Sequence, residues 1–303
     1  MKIEGGKYWQ RPWSLVDGCT PCSPGCLHCW SAAMTHRFDQ SFTPLTDIHG
    51  KFLGKVVTRP DRLDIPLKRR KPTVYSVWND WLHESVPFEF IAQILDVACD
   101  ARCEEHTILL LTKRPHRWSD FKWWHGEHWP GDTPFSVAYE ALGHLPENVY
   151  PGLTVCNQAE ADEKIPIFLK VPGKKFLNIE PMLSAIDITE AIEDGIPTQA
   201  EMIGTRGLHY IRHGVPRINA VILGGETGKG ARPMHPDWVR SVRDQCEAAG
   251  VPFFFKGMLL DKKHKTMYID GKTHTELPWR SENAIQRQGS SKIKGTRKKT
   301  KMD

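Results

Sequence analysis

Two stretches, Ala220-Val221-Ile222-Leu223-Gly224-Gly225-Glu226 and Gly250-Val251-Pro252-Phe253-Phe254-Phe255-Lys256, frame the segment that decides the fold. Each carries a continuous apolar run rather than an alternating one, the pattern of a strand covered on both faces in a parallel sheet. Between them Trp238, Val242, Cys246 and Ala249 recur at helical spacing, and Gly250 supplies the helix stop. Strand, helix and strand in that order predict a right-handed crossover unit.

The same grammar extends outward. Apolar runs at 73–77, 107–111, 152–155 and 175–179 join those at 220–223 and 252–255, and Phe88, Ile91, Ile94, Leu95 and Ala98 form a second helical stripe. Six such strands, with room for a further one near the N-terminus, predict an α/β domain with a parallel sheet, open or rolled. A partial (β/α) barrel of about six parallel strands fits that count. The domain is expected over 1–280, without internal repeats or a second globular unit. Residues 31–72 and 116–148 are poor in strand signal and rich in Pro, Gly, Trp and His, and are expected as insertions or long loops around the site.

Composition excludes several classes. In 303 residues, 40% are hydrophobic and 25% charged, the balance of a globular protein. No apolar run reaches the roughly 18–20 residues that span a bilayer. The start lacks the apolar core of a secretory signal, so a cytoplasmic location and no membrane partner are expected. In a reducing compartment the eight cysteines are ligands, buried residues or reactive thiols rather than disulfides. The net charge of +5 gathers at the end of the chain. Arg287, Lys292, Lys294, Arg297, Lys298, Lys299 and Lys301 face Asp303 alone among residues 287–303. Residues 281–303 are therefore expected as a flexible basic tail, either contacting nucleic-acid phosphates or simply solubilising.

The most specific feature is Gly18-Cys19-Thr20-Pro21-Cys22-Ser23-Pro24-Gly25-Cys26-Leu27-His28-Cys29-Trp30. Pro and Gly between thiols favour turns that wrap them around one centre. Cys22, Cys26 and Cys29 have the spacing C-x3-C-x2-C, the signature of radical S-adenosylmethionine enzymes. There three thiolates hold a 4Fe–4S cluster and one iron stays open for the cofactor. A structural zinc site, with His28 as a further ligand, is the alternative, although no second C-x2-C knuckle follows. Free thiols are the third reading.

Beyond the cysteines, several motifs are shared with a known group: Asn79-Asp80-Trp81-Leu82-His83-Glu84, Leu111-Thr112-Lys113-Arg114-Pro115 and Asn178-Ile179-Glu180-Pro181. The strongest runs from Gly224-Gly225-Glu226-Thr227-Gly228 through Ala231-Arg232-Pro233-Met234-His235-Pro236 to Lys256. With Gly18-Cys19-Thr20-Pro21 and Ser23-Pro24-Gly25-Cys26, these resemble the phage- and mobile-element-associated three-cysteine-motif family, mostly uncharacterised relatives of radical S-adenosylmethionine enzymes. That family uses C-x6-C-x2-C, which here selects Cys19, Cys26 and Cys29. This chain satisfies both spacings, so the third ligand is Cys22 or Cys19.

Parallel α/β folds gather functional groups at the carboxyl ends of their strands. Asp80, Glu180, Gly224, Gly225 and Glu226 are accordingly candidates for cofactor binding, and Lys113, Arg114, Asn157 and Lys256 for catalysis. Helix caps and ordinary ion pairs are the structural alternatives. Gly224-Gly225-Glu226 resembles the Gly-Gly-Glu that contacts the methionine amino group in radical enzymes, but it arrives late in the chain. Trp13, Trp30, Trp78, Trp81, Trp118, Trp123, Trp124 and Trp129 are packing residues or, near the site, platforms for a nucleobase.

The resemblance implies a radical S-adenosylmethionine enzyme with a 4Fe–4S cluster, S-adenosylmethionine, and an electron donor such as flavodoxin or ferredoxin. Together with the basic tail and the tryptophans it predicts a nucleic-acid or nucleotide substrate, most naturally DNA. The expected role is hypermodification of a pyrimidine base, by rearrangement or C–C bond formation, in a phage genome shielded from host restriction. Two alternatives stand beside it: lesion repair resembling spore photoproduct lyase, and a zinc-stapled nucleic-acid-binding protein without catalysis.

Overall fold

Lys175-Phe176-Leu177-Asn178-Ile179 is buried along its whole length, as a strand flanked by strands and covered on both faces must be. It is β7 in a computed structural model that describes residues 7–38, 44–193, 217–228, 230–261 and 264–280. The proposed basic tail lies outside the described residues.

The main sheet contains β1 (Arg11–Trp13), β4 (Val74–Val77), β5 (Thr107–Thr112), β6 (Val149–Val155), β7 (Lys175–Ile179), β8 (Ile218–Gly224), β9 (Phe253–Leu259) and β10 (Lys265–Thr266), in that spatial order. The strands from β1 to β9 are parallel, and β10 closes the series antiparallel. The expected six strands are all present, and the further one near the N-terminus is β1. A short antiparallel ribbon pairs β2 (Val16–Gly18) with β3 (Val56–Thr58). A last hairpin pairs β11 (Tyr268–Ile269) with β12 (Lys272–Thr273).

Because spatial order follows chain order, right-handed crossovers put the intervening helices on one face. These are α2 (Phe88–Cys99), α3 (Arg117–His128), α4 (Pro134–Leu142), α5 (Gln158–Phe168), α6 (Thr189–Ile192) and α7 (Pro236–Ala248); α1 (Trp30–Phe38) precedes them. Ile91, Ile94 and Leu95 of α2 and Val239, Val242 and Cys246 of α7 are fully enclosed in the core beneath that face. Both predicted helical stripes are therefore present. The segment 116–148, expected as a loop at the site, instead folds largely into α3 and α4. Its tryptophans and histidines hid a helical face: Trp118, Phe121 and Phe135 are buried against the core.

The opposite face has its own apolar cluster: Val74, Leu109, Tyr150, Phe176, Ala220, Ile222 and Phe254, one or two from each central strand. The chain ends plug it. Tyr8, Leu277 and Trp279 pack there, and the Trp279 indole donates to the Tyr8 carbonyl at 3.2 Å. Gly152 permits the tightest contact, since a β-carbon there would sit within 3.0 Å of three Phe176 ring atoms. Along this inner face polarity rises toward the carboxyl ends. Gly152 pairs with Phe176 in one rung, Thr154 with Asn178 in the next, and Glu180 lies just beyond β7. The floor is apolar and the mouth polar.

Candidate functional site

The cysteine loop begins where β2 ends. Gly18 leaves the strand at φ 84, a conformation natural to glycine, and a β-carbon there would strike the Lys55 carbonyl. The chain then crosses the carboxyl ends of the sheet and enters α1. All four thiols, Cys19, Cys22, Cys26 and Cys29, line one cavity of about 970 Å³ and none is in a disulfide. Gly25 seats the loop, because any side chain there would drive into the Cys156 sulfur and the Pro181 ring.

Two arginines hold the loop from opposite sides. Arg114, almost wholly buried, donates to the Thr20 carbonyl at 2.8 Å, to Asp80 at 2.9 Å and with its Nε to both oxygens of Glu84 at 2.8 Å. Asp80 also accepts from the Lys113 amide at 3.0 Å, the Leu82 amide at 3.2 Å and the Thr112 hydroxyl at 2.5 Å. All its acceptor directions are thus spent within the protein. Asp80 lines the cavity, ties the end of β4 to that of β5, and reaches the loop through Arg114.

On the other side Arg232 donates to the Pro24 carbonyl at 3.0 Å and clasps Glu226 through its Nε at 3.0 Å and Nη2 at 2.5 Å. His28, inside the loop, meets Glu226 at 2.9 Å. These bonds hold the Glu226 carboxyl far below its ordinary range, to about 2, against the opposing pull of burial. The unfolded chain, whose carboxyl titrates near its ordinary 4.5, binds the proton more readily than the folded protein. The stabilisation is complete above about pH 4.5 and is lost as pH falls toward 2. Thermal unfolding followed from pH 5 to 2.5 is expected to fall more steeply for the wild type than for Glu226→Gln. Parallel curves would remove Glu226 as the cause.

The thiols differ. The neighbouring Cys22 thiol and amide, with the nearby Lys113 ammonium, outweigh burial and draw the Cys26 thiol down to about 5. Burial, aided by Asp80, pushes Cys19 up to about 12. The Cys19 sulfur faces Arg114 at 3.9 Å. Lys113 lies 3.5 Å from the buried Cys156 sulfur. Burial works against the Lys113 charge, but Cys156, Cys26 and Glu160 more than compensate and raise its pKa.

Glu180 pairs with Lys256 at 2.5 Å, and both line the cavity, as do Gly225 and Glu226. Gly224 ends β8 against the side chains of Glu180 and Lys256. Asn157 departs from expectation. It caps α5, its side chain accepting from the Glu160 amide at 2.9 Å, and it does not line the cavity. Trp9, Trp30 and Trp78 form an aromatic wall, with ring centroids 5.6 Å apart for Trp9 and Trp78 and 5.0 Å for Trp30 and Trp78. Asn79, with φ 58, reaches from beside Trp78 to the Val16 carbonyl at 2.7 Å.

Two residues of the floor were not among the candidates. Thr154 and Asn178 line the cavity from β6 and β7. Asn178 is 3% exposed; its amide nitrogen meets the Thr154 hydroxyl at 3.4 Å, and its carbonyl oxygen has no hydrogen-bond partner. Leaving such an acceptor unpaired costs about 1–3 kcal/mol. The period-2 break inside the apolar run 175–179 was the available signal.

Among the described residues no three or more His, Cys, Asp or Glu side chains are gathered as a ready metal site. The donor chemistry nonetheless fits an iron–sulfur cluster: four thiols on one wall, a cation beside them, and His28 already engaged by Glu226. Among the described residues no helix is long and apolar enough to cross a membrane. The family model described as a protein of unknown function (DUF5131) matches residues 4–278. No curated protein and no solved structure matches the chain.

Proposed function

We propose that this chain, which belongs to the DUF5131 family of proteins of unknown function, is a radical S-adenosylmethionine enzyme acting on a nucleic-acid or nucleotide substrate. The observation that carries the reading is the braced cysteine loop on the wall of a large cavity at the carboxyl ends of a parallel sheet. The unbroken spatial order of the parallel strands, with helices on one face, supports a partial (β/α) barrel of the radical-enzyme kind.

Cys22, Cys26 and Cys29, in the C-x3-C-x2-C spacing, would hold a 4Fe–4S cluster, whereas the Cys19 sulfur is turned to Arg114. When bound, such a cluster would supply the single electron for reductive cleavage of S-adenosylmethionine. The protein's own groups do the rest of the preparation. Arg114 and Arg232 fix the loop by the Thr20 and Pro24 carbonyls and hold it against the cavity. Lys113 offsets thiolate charge in a site where burial makes such charge costly. Glu180 and Lys256 offer a carboxylate and an ammonium for the polar ends of a ligand.

The charge balance favours an anionic substrate. Lys7, Lys51, Lys113, Lys256, Lys265, Arg114 and Arg232 line the cavity against the carboxylates Asp80, Glu180 and Glu226. Trp9, Trp30 and Trp78 provide stacking surface for a base. Taken with the resemblance to a phage-associated family, the substrate we propose is a DNA pyrimidine in a phage genome.

The test is purification without air. The expected protein is brown, contains iron and sulfide, and on reduction with S-adenosylmethionine yields 5′-deoxyadenosine. Cys26→Ala and Cys29→Ala are each expected to lose the iron, and Cys22→Ala more of it than Cys19→Ala. Zinc without iron in the wild type would replace this reading with a zinc-stapled binding protein.

A further inference from the structure

The proposed function leaves Asn178 unused. Its neighbours on the inner face are Thr154 on β6 and Ile222 on β8, so it stands between a hydroxyl and a hydrocarbon, at the level where the apolar floor gives way to the cavity. Parallel strands buried on both faces rarely carry an amide without a partner for it. Here the nitrogen is engaged, at a long 3.4 Å, and the carbonyl oxygen is not.

We infer that Asn178, positioned by Thr154, is a recognition amide that pairs with the edge of a nucleobase at the bottom of the cavity. An asparagine amide presents an acceptor and a donor side by side. Its complement is a planar ring edge with an N–H donor next to an acceptor. Pyrimidine imides and the adenine amino edge both have that edge, and amide side chains pair with bases in this bidentate way. The Trp9–Trp78 wall lies in the same cavity and suits a flat ring, and Lys256 suits an attached anion. Water would satisfy the oxygen of Asn178 but would not account for the aromatic wall.

The inference rests on the reading of the cavity as a nucleotide site, yet it is tested separately from the iron chemistry. The measurement is calorimetric binding to the full chain, purified without air, of thymidine 5′-monophosphate, N3-methylthymidine 5′-monophosphate and 5′-deoxyadenosine. Wild type is compared with Asn178→Leu and Asn178→Asp. One probe, thymidine monophosphate or 5′-deoxyadenosine, is expected to weaken about tenfold or more with Asn178→Leu, the loss a missing bidentate pair produces. Asn178→Asp, which keeps the acceptor and loses the donor, is expected to fall between.

If the sensitive probe is thymidine monophosphate, and the N3-methyl derivative fails to bind the wild type, the base belongs to the substrate. If it is 5′-deoxyadenosine, the base belongs to the cofactor. Affinities unchanged in both variants for both probes would overturn the inference. Thermal unfolding supplies the structural control: because the carbonyl oxygen is unpaired, Asn178→Leu is expected to keep or raise the melting temperature. A large drop would mark Asn178 as a packing residue and would also overturn it. Iron and 5′-deoxyadenosine formation with unchanged probe binding would sink this inference alone. Zinc without iron, with binding that needs Asn178, would sink the radical chemistry alone.

Discussion

Arg114→Ala is expected to destabilise the protein by about 3–5 kcal/mol, the cost of stripping one partner from a buried ion pair. Asp80 is 6% exposed, so its carboxylate would be left inside the protein without the guanidinium 2.9 Å away. The Thr20 carbonyl and Glu84 lose a donor at the same time. Urea denaturation reads the effect as a lower midpoint with an unchanged slope. Adding Asp80→Asn to Arg114→Ala removes the orphaned charge and keeps one acceptor oxygen, enough for the Leu82 amide and the Thr112 hydroxyl. The double variant is expected to recover part of the loss. A double variant as unstable as the sum of the two singles would show that the charge pair is not what holds this corner. The functional consequence runs in parallel: the cysteine loop loses one of its two anchors, and iron retention should fall with stability.

Gly152→Val is the second large effect, about 3 kcal/mol at the upper end of overpacking penalties. The Phe176 ring occupies the space a side chain would need, and it cannot swing aside. Tyr8 stands 6.3 Å from it and Trp279 5.7 Å, centroid to centroid, and both belong to the plug. A second substitution, Phe176→Leu, vacates part of that space. In the double variant the two costs are expected to be less than additive by about 0.5–3 kcal/mol, as for residues in direct contact. Strict additivity would mean that the strain lies in the strand backbone instead.

These two sites also show what could be read from sequence. The runs at 107–111 and 220–223 are short, apolar and uninterrupted, the run at 175–179 is broken by Asn178, and each is the core of a strand. β6 begins earlier than its apolar run, at Val149, because Tyr150-Pro151-Gly152 carries two residues that normally end strands. Their backbone is accepted here because Phe176 covers Gly152. β1 is three residues long and contains a proline, too little for periodicity to register.

At the site, strand-end position drew attention to Lys113, Arg114, Glu180, Glu226 and Lys256, and all of them line the cavity. It overreached at Asn157, where Asn157 and Glu160 stand in the spacing of a helix-capping pair. It could not distinguish a residue that offers itself to a ligand from one, such as Asp80, whose lone pairs are already taken. That distinction depends on hydrogen-bond geometry across elements far apart in the chain. Asn178 was hidden for the opposite reason, since a single polar residue inside an apolar run looks like noise until its unpaired oxygen is seen.

The plug at the base of the sheet has a consequence for how the molecule comes into being on the ribosome. The cysteine loop at 19–29 is made before β4 to β10, whereas Leu277 and Trp279, which cover Phe176 and Phe254, come after every strand of the main sheet. Until those residues arrive, the apolar inner faces of strands already made have no cover, a state prone to association with other chains. A nascent chain stalled before 277 would therefore depend on chaperones, and its cysteines would line a cavity that still had no bottom.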